Sequence, residues 1–275
     1  MGASDVEMTQ PMPGLLLLRH ARPTELEATL YEPVLCTILQ GEKETGAGDR
    51  PIRVGAGQSL IVSHDLPVVS RITSARKGSP YLAVIVTIDL ALLRSLYEEL
   101  GGEKLSESDT SAMWILETDP QVEDALSRYM ALSSDPLAAR VLGPAILREV
   151  HFRLLVAPHG DMLRRLLRHD SHESAIANAI AQLRRGYKAP LAVPELAKAV
   201  GMSESSFYNH FKRITSTTPL QYHKQLRLLE ARRLLAAGRA SVAQVAFEVG
   251  YESPSQFSRD YARRFGASPS NDARA

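Results

Sequence analysis

Two stretches of this 275-residue chain place hydrogen-bonding and cationic side chains at helical spacing on one side and aromatics on the other. In the first, Ser205, Tyr208, Asn209 and Lys212 recur at i, i+3, i+4 and i+7, while Phe207, His210, Phe211 and Ile214 share the opposite side. In the second, Phe257, Tyr261 and Phe265 form the apolar stripe, and Gln256, Arg259 and Arg263 point away from it. Such side chains recognise; they do not catalyse. An arginine can donate twice to guanine O6 and N7, an asparagine or glutamine can pair with adenine, and the major groove displays those groups in a pattern that identifies each base pair. Lys212, Arg213 and Arg263 lie toward the ends of these faces, where contacts to phosphate are expected. Any amphipathic helix has a polar outer face, so one such stripe would say little. The same layout twice says more.

The other reactive residue types stand alone. Cys36, the only cysteine, cannot form an intrachain disulfide, and in the run Val34 to Leu39 it reads as a small buried hydrophobe. A sensor thiol is the alternative, although no cation neighbours it in sequence. His64, in VGAGQSLIVSHDL, lacks the paired histidine and carboxylate that an open metal position requires; it is expected to be a structural or loop histidine, with a place in a ligand pocket as the alternative. Trp114 is expected in packing rather than stacked on an effector. No nucleophile elbow or phosphate-cradling glycine loop occurs. The chain is therefore expected to be no enzyme, with no catalytic residues, no metal and no cofactor. Cys36, His64 and Trp114 remain the candidates for contact with an effector.

The polar stripes need a frame, and the frame is also written twice. PELAKAVGMSESSFYNHFKRITSTTP, from Pro194 to Pro219, and AQVAFEVGYESPSQFSRDYARRFGASP, from Ala243 to Pro269, each run from a short apolar segment through Val-Gly into the aromatic helix. That is helix, glycine turn, helix, with the glycine supplying a left-handed backbone and Ser203 and Ser253-Pro254 opening the second helix of each pair. The two helix-turn-helix units fall at about 190–214 and 241–265. Leu220 to Ala237, closed by Gly238, reads as one long helix with Leu226, Leu229, Leu234 and Leu235 on its core side. At about 27 Å it is long enough to hold two reading helices about one DNA turn apart.

On the strength of ELAKAVGMSESSFYNHFK, PLQYHKQLRLLEARRLL and VAFEVGYESPSQFSRDYARRFGASP, residues 171 to about 270 resemble the DNA-binding domain of the AraC/XylS family of bacterial transcription regulators. The resemblance implies double-stranded DNA as partner, RNA polymerase as a possible second one, and base reading by Ser205, Tyr208, Asn209, Ser255, Gln256 and Arg259. Tyr251 and Tyr261 stand where Phe is commoner in that family. Asn209 stands where relatives often carry Arg, so the base preference of the first helix does not carry over.

Charge divides the chain in the same place. Residues 171–275 hold 15 Lys and Arg against 8 Asp and Glu, a net +7, and residues 1–170 hold 17 against 23, a net −6. The basic half has the electrostatic footprint of phosphate binding. In the acidic half, Leu15–Leu18, Val34–Gln40, Gln58–Ser63, Val68–Thr73 and Tyr81–Ile88 read as short strands between turns such as Gly41-Glu42 and Gly46-Ala47-Gly48-Asp49. This segment resembles the cupin-like N-terminal sensor domain of one AraC/XylS branch. Helical periodicity follows in Leu90–Leu100, Asp119–Leu132, Pro136–Ala157, bent at Gly143-Pro144, and His172–Arg185.

The expected fold is α+β: a cupin-like antiparallel barrel with flanking helices over residues 1–165, then an all-α DNA-binding domain over 166–275. The leucine stripe of the middle helices should pack under the barrel, with a homodimer seam as the alternative. No run approaches 18 apolar residues, so no membrane partner and a cytoplasmic location are expected. The expected function is a sequence-specific transcription regulator whose N-terminal domain senses a small molecule or reactive species. A cupin-type binding protein or enzyme with a helical appendage, and an architectural DNA binder without a ligand, are the competing readings.

Overall fold

Alternation along the strands decides the layering of the first half. In the computed structural model, which describes residues 6–48, 51–101, 111–158, 160–238 and 240–272, ten strands precede or interleave with the first helices: β1 (Val6–Met12), β2 (Leu15–His20), β3 (Glu27–Tyr31), β4 (Val34–Gln40), β5 (Glu42–Gly46), β6 (Ile52–Gly55), β7 (Gln58–Val62), β8 (Leu66–Ser74), β9 (Tyr81–Thr87) and β10 (Met113–Glu117). They form a six-stranded sheet in the order β1-β2-β9-β4-β7-β10 and a four-stranded sheet in the order β3-β8-β5-β6, paired antiparallel throughout. Cys36, Ile38, Leu60, Tyr81 and Ala83 of the larger sheet meet Val54, Leu66, Val68 and Ile72 of the smaller one in the barrel core. Their strand neighbours Leu35, Ile61, Val84 and Val86 face the other way, against a helical layer.

That layer consists of α1 (Leu90–Glu99), α2 (Pro120–Ala131), α3 (Pro136–Val156) and α4 (Asp161–Leu167). Asp89, Asp119 and Asp135 cap the first three by accepting backbone N–H groups, and Pro120 and Pro136 start two of them. Leu93, Leu126, Tyr129, Val150 and Leu154 cover the sheet, so most of the apolar stripe is used in packing. The N-terminal turns of α3 are the exception, with Leu137 64% and Val141 63% exposed. The third helix runs as one element through Gly143-Pro144.

Five strands lay beyond the sequence signals. β5 is the instructive one: Glu42-Lys43-Glu44-Thr45 looks like a charged turn, yet Lys43 and Thr45 are buried and Glu44 is held by Arg53 and Arg71 on the opposite face. Asp49, placed in the turn that follows, lies outside the described residues.

The second half contains α5 (His172–Arg185), α6 (Val193–Ala199), α7 (Glu204–Thr215), α8 (Pro219–Ala236), α9 (Val242–Glu248), α10 (Pro254–Phe265) and the short α11 (Pro269–Asp272). Helix α8 buries two faces rather than the single side expected from its leucines. Tyr222 and Leu226 join Ile176, Ile180, Leu196, Phe207 and Phe211, whereas Leu228, Ala231 and Leu235 join Val245, Val249, Phe257 and Tyr261. One helix thus serves as a wall of both helix-turn-helix cores.

The halves are joined by specific bonds. Tyr222 donates its hydroxyl to the Asp65 carbonyl at 2.7 Å, Arg184 bridges Asp65 (2.6 Å) and Glu32 (2.9 Å), and the Ala112 N–H donates to the Ile214 carbonyl at 2.9 Å.

Candidate nucleic-acid interface

The aromatic faces of α7 and α10 are sealed. Phe207, Phe211, Phe257 and Tyr261 are fully buried, and Phe211 meets the Tyr222 ring edge-on with centroids 5.4 Å apart. Their opposite faces are open: Ser205, Tyr208, Asn209, Lys212, Ser255, Gln256, Arg259 and Arg263 are all exposed. Among the described residues neither Arg259 nor Lys212 makes an ion pair, although Glu252 and Asp260 are near Arg259 in sequence. Asp260 is instead turned inward to Lys224 at 2.6 Å. Arg263 reaches Asp260 only at 4.0 Å. Arg213 is differently placed: it donates to Nδ1 of His210 at 2.7 Å and stands 3.9 Å from the buried carboxylate of Glu173 on α5, so contacts within the second half engage it.

Each helix starts where its sequence says. Ser203 accepts from the Ser206 N–H and Ser253 from the Gln256 N–H, with Pro254 in the first turn. Gly250, in the turn before α10, has φ +90, and a Cβ there would lie 2.2 Å from the Lys188 carbonyl oxygen, so only glycine fits. The group pressing on that turn is Arg227 of α8. Its guanidinium donates to the carbonyls of Tyr187 (2.7 Å), Lys188 (3.0 Å), Ala189 (2.9 Å) and Gly250 (2.8 Å). One side chain therefore ties the segment leading into the first unit to the turn of the second. Burial lowers its pKa, with Tyr251 and Glu252 opposing. Nothing in LQYHKQLRLLEARRLLAA distinguishes Arg227 from Arg232 or Arg233, which is why its role was not legible beforehand.

The candidate effector contacts are dispersed. Trp114, on β10 opposite Ile61, packs in the helical layer, away from the barrel core. His64 is 2% exposed at the junction, where Nε2 donates to the Glu173 carbonyl at 3.1 Å and Nδ1 accepts from the Ser63 hydroxyl at 2.8 Å, a tautomer assigned from these partners. Burial pushes its pKa down to about 4 against the Glu173 carbonyl. His64 also lines a cavity of about 270 Å³ with Asp65, Arg94, Leu166, Ser174 and Asn178. A larger cleft, about 510 Å³, opens between β3 and α8, with Leu30, Leu226 and Leu229 as its floor and Arg184 and Arg233 at its rim. Both take walls from each half of the chain.

Cys36 is 3% exposed in the barrel core, and a cation does approach it: Lys43 Nζ lies 3.4 Å from its sulfur and 3.4 Å from the Tyr31 hydroxyl. The sequence concealed this. β4 and β5 are consecutive but belong to different sheets, so residues seven apart meet across the barrel.

Comparison with known proteins follows the same division. Residues 11–162 match the family model described as the AraC-type transcriptional regulator N-terminus, and residues 196–275 match a helix-turn-helix domain. Among curated proteins, the chain is similar to the HTH-type transcriptional regulator CdhR of Pseudomonas aeruginosa, at 36% identity over 48% of this chain and 37% of that one. It is also similar to ExsA of the same organism, at 26% identity over 85% of this chain and 83% of that one. The matches to CdhR and to AlkR of Acinetobacter baylyi span only about a third of those relatives' length. In fold it is similar to an apo ToxT variant from Vibrio cholerae (TM-score 0.61, 11% identity, 94% of this chain and 97% of that one) and to unsaturated fatty acid bound ToxT (TM-score 0.57, 9% identity, 94% of each).

Proposed function

The chain belongs to the family of AraC-type transcriptional regulators, and we propose that it reads a specific double-stranded DNA site with α7 and α10 under the control of a small molecule held by its N-terminal half. The observation that carries this reading is the paired disposition of the two helices, each with buried aromatics and a stripe of side chains free to meet base edges. Ser205, Tyr208, Asn209, Ser255, Gln256 and Arg259 are the base-reading set, and Lys212 and Arg263 contact phosphate. Arg213 can join them only by leaving Glu173.

Residues 1–165 form the regulatory part and 166–275 the DNA-binding part. The fatty acid bound ToxT structure supports a small-molecule site in this fold without identifying the molecule for this chain. Catalysis has no part in this reading. Leu137, Val141 and Leu142, exposed on α3, suit a homodimer seam, and RNA polymerase is the expected partner at the promoter. Among the described residues no helix is long and apolar enough to cross a membrane, which accords with work in the cytoplasm.

Selection of bound sequences from a random DNA pool tests the reading, followed by titration of variants on the selected site and on scrambled DNA across a salt series. Arg259→Ala should cost about 1–3 kcal/mol on the selected site and relax preference at one base pair. Lys212→Ala should weaken both DNAs alike and flatten the salt dependence by about one unit. If Arg259→Ala behaves like Lys212→Ala, the second helix does not read bases.

A further inference from the structure

We propose that the barrel interior is an anion site, in which the Lys43 ammonium and the hydroxyls of Tyr31, Tyr81 and Thr45 hold the carboxylate of a small organic acid. The inference rests on the reading of the chain as an effector-governed regulator and supplies the chemical class of that effector.

Lys43 is 8% exposed. A buried ammonium is unfavourable unless an anion and good hydrogen bonds offset its lost hydration. What Lys43 has is a thiol and a phenol, each at 3.4 Å, and the face of the Tyr31 ring at 5.1 Å. The adjacent carboxylate, Glu44, is on the other face of β5, taken by Arg53 at 3.3 Å and Arg71 at 3.1 Å. Around the ammonium, donors are in excess as well. Among the described residues the Tyr81 hydroxyl, in a side chain with 0% exposure, has only the Cys36 thiol and Tyr31 beside it and no well-placed oxygen or nitrogen partner, and the Thr45 hydroxyl two residues along the same face of β5 has no partner. A carboxylate brings the missing negative charge and two oxygens that accept from several donors at once. A single cation suits a monoanion. The surrounding Ile38, Val54, Leu60, Val68 and Ile72 suit an apolar remainder, which points to an organic acid rather than an inorganic oxyanion. Tyr31, half-buried on the edge strand β3, is the side of the cluster closest to solvent.

The same strand reaches the DNA-reading half. Beyond β5, Gly48 has φ +78, and a Cβ there would lie 2.5 Å from the carbonyl oxygen of Ser216. Ser216, itself left-handed at φ 59, terminates α7. A ligand that draws in Lys43 and Thr45 therefore acts on a strand whose end abuts the first reading helix.

The test uses the full chain. Thermal melts are recorded with acetate, butyrate, octanoate and benzoate, each against its neutral amide at equal concentration and ionic strength. At least one carboxylate should raise the melting temperature by several degrees where its amide does not. Lys43→Arg should keep the response, Tyr81→Phe should weaken it, and Lys43→Met should abolish it while melting no lower than the unliganded wild type. The effective carboxylate should also change wild-type affinity for the selected DNA several-fold and leave that of Lys43→Met unchanged. The proposal is overturned if no carboxylate exceeds its amide or if Lys43→Met retains the response. It is equally overturned if native Cys36 is alkylated rapidly by iodoacetamide in a Lys43-dependent way, since the thiol would then be the anion Lys43 serves. Selective DNA binding in the absence of a carboxylate effect removes the anion site alone; no selective DNA binding removes the regulator reading itself.

Discussion

Acidification should loosen the junction between the two halves through His64. The buried imidazole is neutral, with Nε2–H on the Glu173 carbonyl and Nδ1 on the Ser63 hydroxyl. Its pKa is pushed down to about 4 by burial, whereas an unfolded histidine titrates near 6.5. Between those values the unfolded chain binds more protons than the folded one, so stability is present above pH 6.5 and lost as pH falls through the window. For one group with these two pKa values, going from pH 7 to pH 5 removes about 2 kcal/mol, or roughly 4–8 °C in melting temperature. The charged and titratable neighbours at the junction are Asp65, Glu173, Arg165, Arg184, Arg213, His172 and His210. Burial also lowers the pKa of His210 and adds to the effect. The same cause raises Asp65 against Arg184, which gives the opposite sign because a raised carboxyl gains stability on acidification. His64→Gln isolates the histidine, since it keeps a donor and an acceptor but cannot take the proton. Melts of both proteins at pH 7 and pH 5 should show the wild type losing about 2 kcal/mol more than the variant. Equal losses would falsify the assignment and place the pH sensitivity elsewhere.

Arg227→Met should leave the affinity for each half-site within a few-fold but flatten the preference for one spacing between them, because the fan of four carbonyl contacts fixes one unit against the other; selection from a pool with variable spacers reads this directly, and an unchanged spacing optimum refutes it. Gly48→Ala should cost about 1–3 kcal/mol, since it combines a left-handed backbone with a 2.5 Å approach to Ser216. A variant that melts with the wild type would show that this turn does not press on α7.

Helices α7 and α10 were legible because their signals are local. Periodicity, a capping serine and a glycine turn all act within about four residues, and Ser203, Gly201, Ser253 and Gly250 do what their types imply. The strands with apolar runs were legible for the same reason. β5 was not, because its buried Lys43 and Thr45 are polar and nothing in Glu42–Gly46 says that one face of so charged a segment looks into a barrel. The partnership of Cys36 with Lys43, the Arg227 fan and the engagement of Arg213 by Glu173 are consequences of topology, which residue types at a given spacing do not encode. The exposure of Arg259 was a matter of face and could be read; its freedom from Asp260 depended on Lys224, a residue on another helix.

The same tertiary contacts make α7 and α10 unequal. The end of α7 is held by the first half at two points, Ser216 against Gly48 and the Ile214 carbonyl by the Ala112 N–H, while Arg213 near Glu173 ties it to α5, whose Glu173 carbonyl accepts from His64 of the first half. Helix α10 meets it more sparingly, with Arg264 reaching the Val68 carbonyl at 3.4 Å. A change in the barrel therefore bears more directly on α7. It reaches α10 mainly through α8, the helix that is a wall of both cores and carries Arg227. On the proposed reading, the second helix would anchor on DNA through Arg259 while the fit of the first depends on the state of the barrel. On that reading Arg213 has two alternative partners, Glu173 of α5 at 3.9 Å and phosphate on DNA, so that its contact with α5 and DNA binding draw on the same cation.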